Sequence, residues 1–202
     1  TLIDTAPSYG WGHCERIIGR AIKGRRDEAV IATKCGVWWQ DARGSFNGIK
    51  DGKENYVSLR PDTIKIEVEN SLKNLGTDYI DLLQCHKPAI PPEDTPIPET
   101  MGCLMSLKDQ GKIRAIGVSN VSLDQFMTYD SVGELSSNQF RYSMLHRDRE
   151  EDILAYGIPV YEALKKINQE DLFVKKSVDR NKFYLAQTPQ ITTSHILEDS
   201  LD

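Results

Sequence analysis

The sequence predicts an α/β fold, a parallel sheet covered by helices, either closed as a (β/α)8 barrel or open and doubly wound. Three observations predict it. Short apolar runs alternate with helical apolar periodicity along most of the chain, about six strand–helix steps can be counted, and successive apolar runs end in polar, chemically competent residues. The barrel form usually takes about 250 residues, and this chain has 202.

Leu2-Ile3 reads as the tail of a strand, and Ile17, Ile18, Ala21 and Ile22 recur at helical spacing before Gly24 stops the helix. Residues 29–32 (AVIA) form a buried strand. Residues 37–59 are polar and Gly-rich, too long for an ordinary connection, and read as a functional loop. Pro61 opens a helix with Ile64, Val68, Leu72 and Leu75 on its apolar face, ended by Gly76. Residues 79–85 return to strand. A Pro-rich loop then leads to a helix carrying Met101, Leu104 and Met105, closed at Gly111. A strand follows over 113–118, and Ser122 caps a helix with Phe126 and Met127 on one face. Two more strands are predicted over 135–140 and 158–161, with a helix around 150–156; from Lys165 the rhythm fails. The chain opens inside an apolar run without an initiator Met and reads as a piece of a longer protein.

Composition narrows the function classes. Thirty acidic against 25 basic residues give a net charge of −5, without the basic face of a nucleic-acid binder. A hydrophobic share of 39% supports one good core. No apolar run approaches the roughly 18 residues of a membrane span. Cys14, Cys35, Cys85 and Cys103 stand far apart with no C-x-x-C pair, which argues against zinc and for a reducing cytoplasm. His146 and His195 lack partners at metal-ligand spacing, so no metal is expected.

Barrel enzymes assemble their sites at the carboxyl ends of several strands. Here Asp4, Lys34, His86, the pair Ser119 and Asn120, and Gln139 occupy five such ends in turn. Tyr9 lies five residues after Asp4, where the following turn can present its phenol at the same rim. A phenol has a pKa near 10. A neighbouring ammonium favours the phenolate and lowers that pKa, and burying the ammonium requires a carboxylate such as Asp4 beside it. A neutral His86 can orient a carbonyl oxygen. Together these groups suit protonation of an oxygen that becomes negative as hydride reaches its carbon, with a nicotinamide cofactor as hydride source.

Residues 3–10 (IDTAPSYG), 31–34 (IATK), 72–86 (LKNLGTDYIDLLQCH) and 111–120 (GKIRAIGVSN) resemble the signatures of the aldo-keto reductases, and the resemblance covers residues 1–164. It implies a (β/α)8 barrel of the TIM type, here incomplete, that reduces aldehydes and ketones with NADPH or NADH. Carried over by position, Tyr9 resembles the general acid, Lys34 and Asp4 the pair that tunes it, and His86 the carbonyl-orienting residue. Ser119, Asn120 and Gln139 resemble the residues that hold the nicotinamide carboxamide, and Tyr161 the aromatic on which the ring stacks. The family's first strand and amino-terminal hairpin are missing. After Leu164 the Gly-rich continuation is replaced by Lys165-Lys166-Ile167-Asn168-Gln169, so 165–202 reads as a divergent segment of the same domain. Lys176-Ser177-Val178 with Arg180 lies too soon after Tyr161 for a 2′-phosphate grip and reads as surface.

Trp38, Trp39 and Phe46 in the long loop are candidates to line a substrate pocket or to pack the loop onto the barrel, and Trp11 and His13 to touch substrate or to pack or cap the following helix. Cys35 and Cys85, bordering Lys34 and His86, read as small buried hydrophobes. The partner expected is a small-molecule carbonyl compound. Two other readings compete with carbonyl reduction: Lys34 as the Schiff-base nucleophile of an aldolase-like barrel, and a non-catalytic nucleotide-sensing or interaction subunit, or an inactive fragment.

Overall fold

Residues 1–145 and 147–149 are described in the computed structural model of the chain. Five strands form one parallel sheet: β1 (Leu2–Asp4), β2 (Val30–Cys35), β6 (Ile80–Cys85), β7 (Ile113–Ser119) and β8 (Ser137–Gln139). Between β2 and β6 the chain adds a small antiparallel sheet of β3 (Val37–Trp38), β4 (Ser45–Lys50) and β5 (Lys53–Val57). The helices are α1 (His13–Ala21), α2 (Pro61–Leu75), α3 (Ile97–Asp109) and α4 (Leu123–Val132).

The strand order β1-β2-β6-β7-β8 never doubles back. A doubly wound sheet reverses at a switch point between strands; this sheet turns in one direction, with α1 on α2, α2 on α3 and α3 on α4 around its outside. The described residues are thus part of a (β/α)8-type barrel. The expected sixth strand over 158–161, the helix over 150–156 and the segment 165–202 lie outside the described residues.

Each helix has a local cause. Pro61 opens α2 at a position that needs no N–H, and Gly76 (φ 62°) ends it in the left-handed conformation. In α4 the Ser122 hydroxyl accepts the Gln125 N–H while the Gln125 side chain accepts the Ser122 N–H. The buried face of α4 holds Phe126 and Tyr129; Met127, expected beside Phe126, is 44% exposed because it lies a third of a turn away. Gly19 lets α1 rest on the end of α2: a Cβ there would stand 2.6 Å from the Asn74 carbonyl oxygen and 2.7 Å from that of Leu75.

Alternation along the strands sorts the side chains into two layers. Ile31, Cys35, Leu83, Cys85, Ile116 and Val118 face the helices and are buried; each large aliphatic side chain among them contributes about 1.5–3 kcal/mol. In the opposite direction, register places Lys34 beside Gln84, Gln84 beside Gly117, and Gly117 beside Ser137, so one interior row crosses four strands. Gly117 makes the row possible: a Cβ there would collide with Ser137 Oγ and come within 2.9 Å of Gln84 Cγ.

At the amino ends of the strands, Tyr79 is clasped between two guanidinium groups, Arg26 at 4.0 Å and Arg114 at 3.7 Å from its ring centre. Both arginines pair with Asp81, Arg26 at 2.6 Å and Arg114 at 3.0 Å, and Asp81 also accepts the Ile31 N–H at 2.9 Å. This cluster ties the start of β2 to the start of β6.

The stretch 37–59 was expected to be a loop and is instead largely sheet. Its inner face mixes polar with apolar residues: Ser45 and Asn55 are buried beside Val37 and Val57, while Phe46 and Ile49 are 57% and 67% exposed. A break in register between Phe46 and Gly48 further disrupts the period.

Candidate active site

The carboxyl ends of the parallel strands gather Asp4, Lys34, His86, Ser119 and Gln139, and the turn after β1 brings Tyr9 to the same place. That turn is unusual. Gly10, Trp11 and Gly12 adopt φ of 60°, 54° and 82° in succession, and for a bulky Trp this backbone is strained.

Lys34 is 2% exposed. Its ammonium donates to both Asp4 carboxylate oxygens at 2.9 Å and to the Thr5 carbonyl at 2.9 Å. Burial lowers its pKa, and the Asp4 charge and hydrogen bonds oppose that shift. Asp4 is held from the other side by Gln139, whose Nε2 donates at 3.3 Å, and more weakly by Gln84 at 3.5 Å. Gln84 in turn accepts from the Ser137 hydroxyl at 3.1 Å. Gln84 and Ser137 were not singled out from the sequence; their signal was strand alternation, since Gln84 stands two residues before His86 on the same face.

The Lys34 nitrogen lies 5.2 Å from the Tyr9 ring centre, and the Tyr9 and His86 rings meet edge to face with centres 5.8 Å apart. The expected lowering of the Tyr9 pKa is corrected: it is raised, first by burial, then by the Asp4 charge and by Cys14. The ammonium that was to favour the phenolate is turned toward Asp4, and the carboxylate that accompanies it repels a second anion. His86 is pushed down to about 3 by burial and then by the charges of Lys34, Lys87 and Lys50, so it is a neutral imidazole at pH 7.

On the neighbouring strands, Asn120 (φ 61°) leaves β7 in the left-handed region, which Asn tolerates. Its N–H donates to the Gln139 carbonyl at 2.9 Å, and its side-chain Nδ2 donates to the His86 carbonyl and to Ser119 Oγ, each at 3.0 Å. Ser119 and Asn120 thus form a hydroxyl–amide pair beside His86, tied to Gln139 through its backbone carbonyl, while the Gln139 side chain faces Asp4. A primary carboxamide presents one acceptor and two donors, to which a hydroxyl and side-chain amide oxygens of the Ser119, Asn120 and Gln139 kind are chemically complementary. Tyr161 lies outside the described residues.

Beneath the site, Thr33 turns outward and donates to the buried Glu15 at 2.8 Å, which also accepts from Asn74 at 3.0 Å. Gly36, just past β2, donates its N–H to Glu67 at 2.8 Å. Burial and the nearby Glu15 raise the Glu67 carboxyl to about 8. Cys35 and Cys85 stand opposite one another in the core between sheet and helices, and all four cysteines are free thiols.

Among the aromatic candidates, Trp11 and Trp39 meet edge to face at 5.2 Å near Tyr9, and both are partly exposed. Trp38 is corrected: it is fully buried, donates Nε1–H to Asp41 at 2.8 Å and lies under the Arg43 guanidinium, so it packs the small sheet and offers no surface to a substrate. Phe46 turns to the far side of that sheet against Tyr56. Among the described residues, no group of three or more His, Cys, Asp or Glu could hold a metal ion, and no helix is long and apolar enough to cross a membrane.

The family model of the aldo/keto reductases matches residues 1–163. The chain is 45% identical over 154 residues to the NADH-specific methylglyoxal reductase of Escherichia coli, covering 76% of this chain and 47% of that protein. It is 44% identical over 161 residues to an aldo-keto reductase of Bacillus subtilis, covering 78% of this chain and 44% of the relative. The chain therefore spans about half the length of the curated relatives it matches. Among solved structures it resembles a glycerol dehydrogenase from Gluconobacter oxydans (TM-score 0.68, 35% identity, 89% of this chain and 56% of that one). It also resembles an aldo/keto reductase from Klebsiella pneumoniae solved with NADP and acetate (TM-score 0.61, 30% identity, 77% of this chain and 48% of that one). Matched over four-fifths of its length and folded as part of the same barrel, the chain belongs to the aldo/keto reductase family.

Proposed function

We propose that this chain carries the catalytic half of a reductase that converts an aldehyde or ketone to an alcohol with NADPH or NADH. The observation that carries the reading is the meeting of Tyr9 with a neutral His86 at 5.8 Å, beside a buried Lys34–Asp4 pair. The reduced nicotinamide supplies hydride to the carbonyl carbon when bound. Ser119, Asn120 and Gln139 hold its carboxamide. His86, uncharged, donates a hydrogen bond that orients the carbonyl oxygen. Tyr9, kept protonated by burial, transfers its phenolic proton to that oxygen as negative charge develops. Asp4 keeps the Lys34 ammonium charged inside the barrel, 5.2 Å from the Tyr9 ring centre. There its positive charge partly offsets the repulsion between Asp4 and the phenolate left by proton transfer.

Replacing Tyr9 by Phe tests the reading. Turnover is expected to fall by about 10²–10⁴-fold, while titration of nicotinamide fluorescence still shows saturable cofactor binding. Turnover that survives the substitution overturns the assignment. The Schiff-base reading asks Lys34 to attack as a free amine, and its three hydrogen bonds to Asp4 and Thr5 oppose this. Borohydride trapping with a carbonyl compound would leave an adduct on Lys34 only under that alternative.

A further inference from the structure

We propose that Lys50, Lys53 and Lys87 form an anion-recognition rim beside the catalytic groups, so that the preferred substrate is a carbonyl compound carrying a separate negatively charged group; this rests on the carbonyl-reductase reading above.

The small antiparallel sheet is what aims the lysines. In β5, Lys53, Asn55 and Val57 share one face, while Glu54 and Tyr56 share the other. The first face is the inner one: Asn55 and Val57 are buried, and the Lys53 ammonium lies 5.4 Å from the ring centre of Trp11, two residues from Tyr9. Lys50 is the direct register partner of Lys53 and so shares its face. Asn47 reaches the same face through its bond to Asn55, and its Oδ1 accepts from Lys87 at 2.8 Å. Lys87 in turn follows His86 in the chain. Three ammonium groups from two separate segments thus stand on one face of the hairpin, Lys53 against Trp11, Lys50 opposite Lys53, and Lys87, next to His86, tied to Asn47.

The acidic residues of the hairpin do not cancel them there. Glu54 points to the opposite face, where it accepts from Tyr56 at 2.7 Å, and Asp51 sits in the exposed turn. The charges of Lys87 and Lys50 are felt at the site, since both disfavour protonation of His86. Two lysines directly opposite on paired strands also repel one another. Three cations on this face of a chain with a net charge of −5 set a local field opposite to the overall one.

The test uses 4-carboxybenzaldehyde and its methyl ester, which share the carbonyl and differ in the distal charge. Binding to the intact chain is followed by tryptophan fluorescence, and turnover is measured in parallel with NADPH and NADH. The carboxylate is expected to bind about tenfold more tightly than the ester at low salt. That ratio is expected to fall toward one in the Lys50→Gln/Lys53→Gln variant and at about 0.5 M salt, and to persist in Lys53→Arg. Equal binding of the two compounds, or a preference that survives in the double Gln variant, overturns the proposal. A preference in binding without turnover of either compound keeps the rim and removes the reductase reading. Turnover of both compounds without preference does the reverse.

Discussion

Tyr9 and His86 meet edge to face, their ring planes 84° apart, although they lie at the ends of strands separated by β2. The contact fixes two hydrogen-bonding side chains against each other, and burial there, with the charges of Lys34, Lys87 and Lys50, lowers the basicity of His86. The imidazole pKa of about 3 lies far below its ordinary 6.5. Unfolding releases the ring to bind a proton below about pH 6.5, so the native state holds its full advantage above that value. This contribution is lost as pH falls toward about 3. Acid titration of stability is expected to show this slope, and His86→Asn is expected to flatten it. An NMR titration of the imidazole with its midpoint near 6.5 would contradict the arrangement.

The Lys34–Asp4 pair predicts an asymmetry. Removing one charge strands the other inside the barrel, so Lys34→Met is expected to cost about 3–5 kcal/mol in chemical denaturation. Adding Asp4→Leu to that variant is expected to restore part of the loss. A double variant less stable than the single one would show that the pair contributes more than it costs to bury.

Glu67 behaves in the opposite sense to His86. Its carboxyl is raised to about 8, so the native state holds a proton that the unfolded chain gives up near 4.5. Its contribution is full below about pH 4.5 and is lost as pH rises through about 8. Glu67→Gln keeps an acceptor for the Gly36 N–H and cannot ionise. It is expected to gain stability relative to wild type above pH 8 and little below pH 5, as read from melting temperature against pH.

Gly117 sets the spacing of the interior row. Gly117→Ala is expected to destabilise by about 1–3 kcal/mol through overpacking and to reduce turnover further by displacing Gln84, which touches Asp4. Full stability together with full activity would show that Ser137 and Gln84 can move aside.

Most of this barrel segment is legible in the residues because β2, β6 and β7 are buried on both faces and read as apolar runs, with helices whose caps are spelled out by Pro61, Gly76 and Ser122. The small sheet is not legible, for a physical reason. Its inner strand faces carry Ser45 and Asn55, satisfied by Ile90, Glu93, Asn47 and Gly48, whereas Phe46 and Ile49 point outward. Hydrophobic alternation is therefore broken there, since buried polar residues share the inner face with Val37 and Val57. The positions of Asp4, Lys34 and His86 could be read from strand ends. The sign of the Tyr9 shift could not, because it depends first on how deeply the phenol is buried and then on its distance from the Asp4 carboxylate.

The Arg26–Tyr79–Arg114 stack with Asp81 sits at the far ends of the strands that carry the chemistry. The candidate site and this clasp thus occupy opposite poles of one scaffold. A substitution in the clasp can therefore loosen the starts of β2 and β6 without touching the side chains gathered at their other ends.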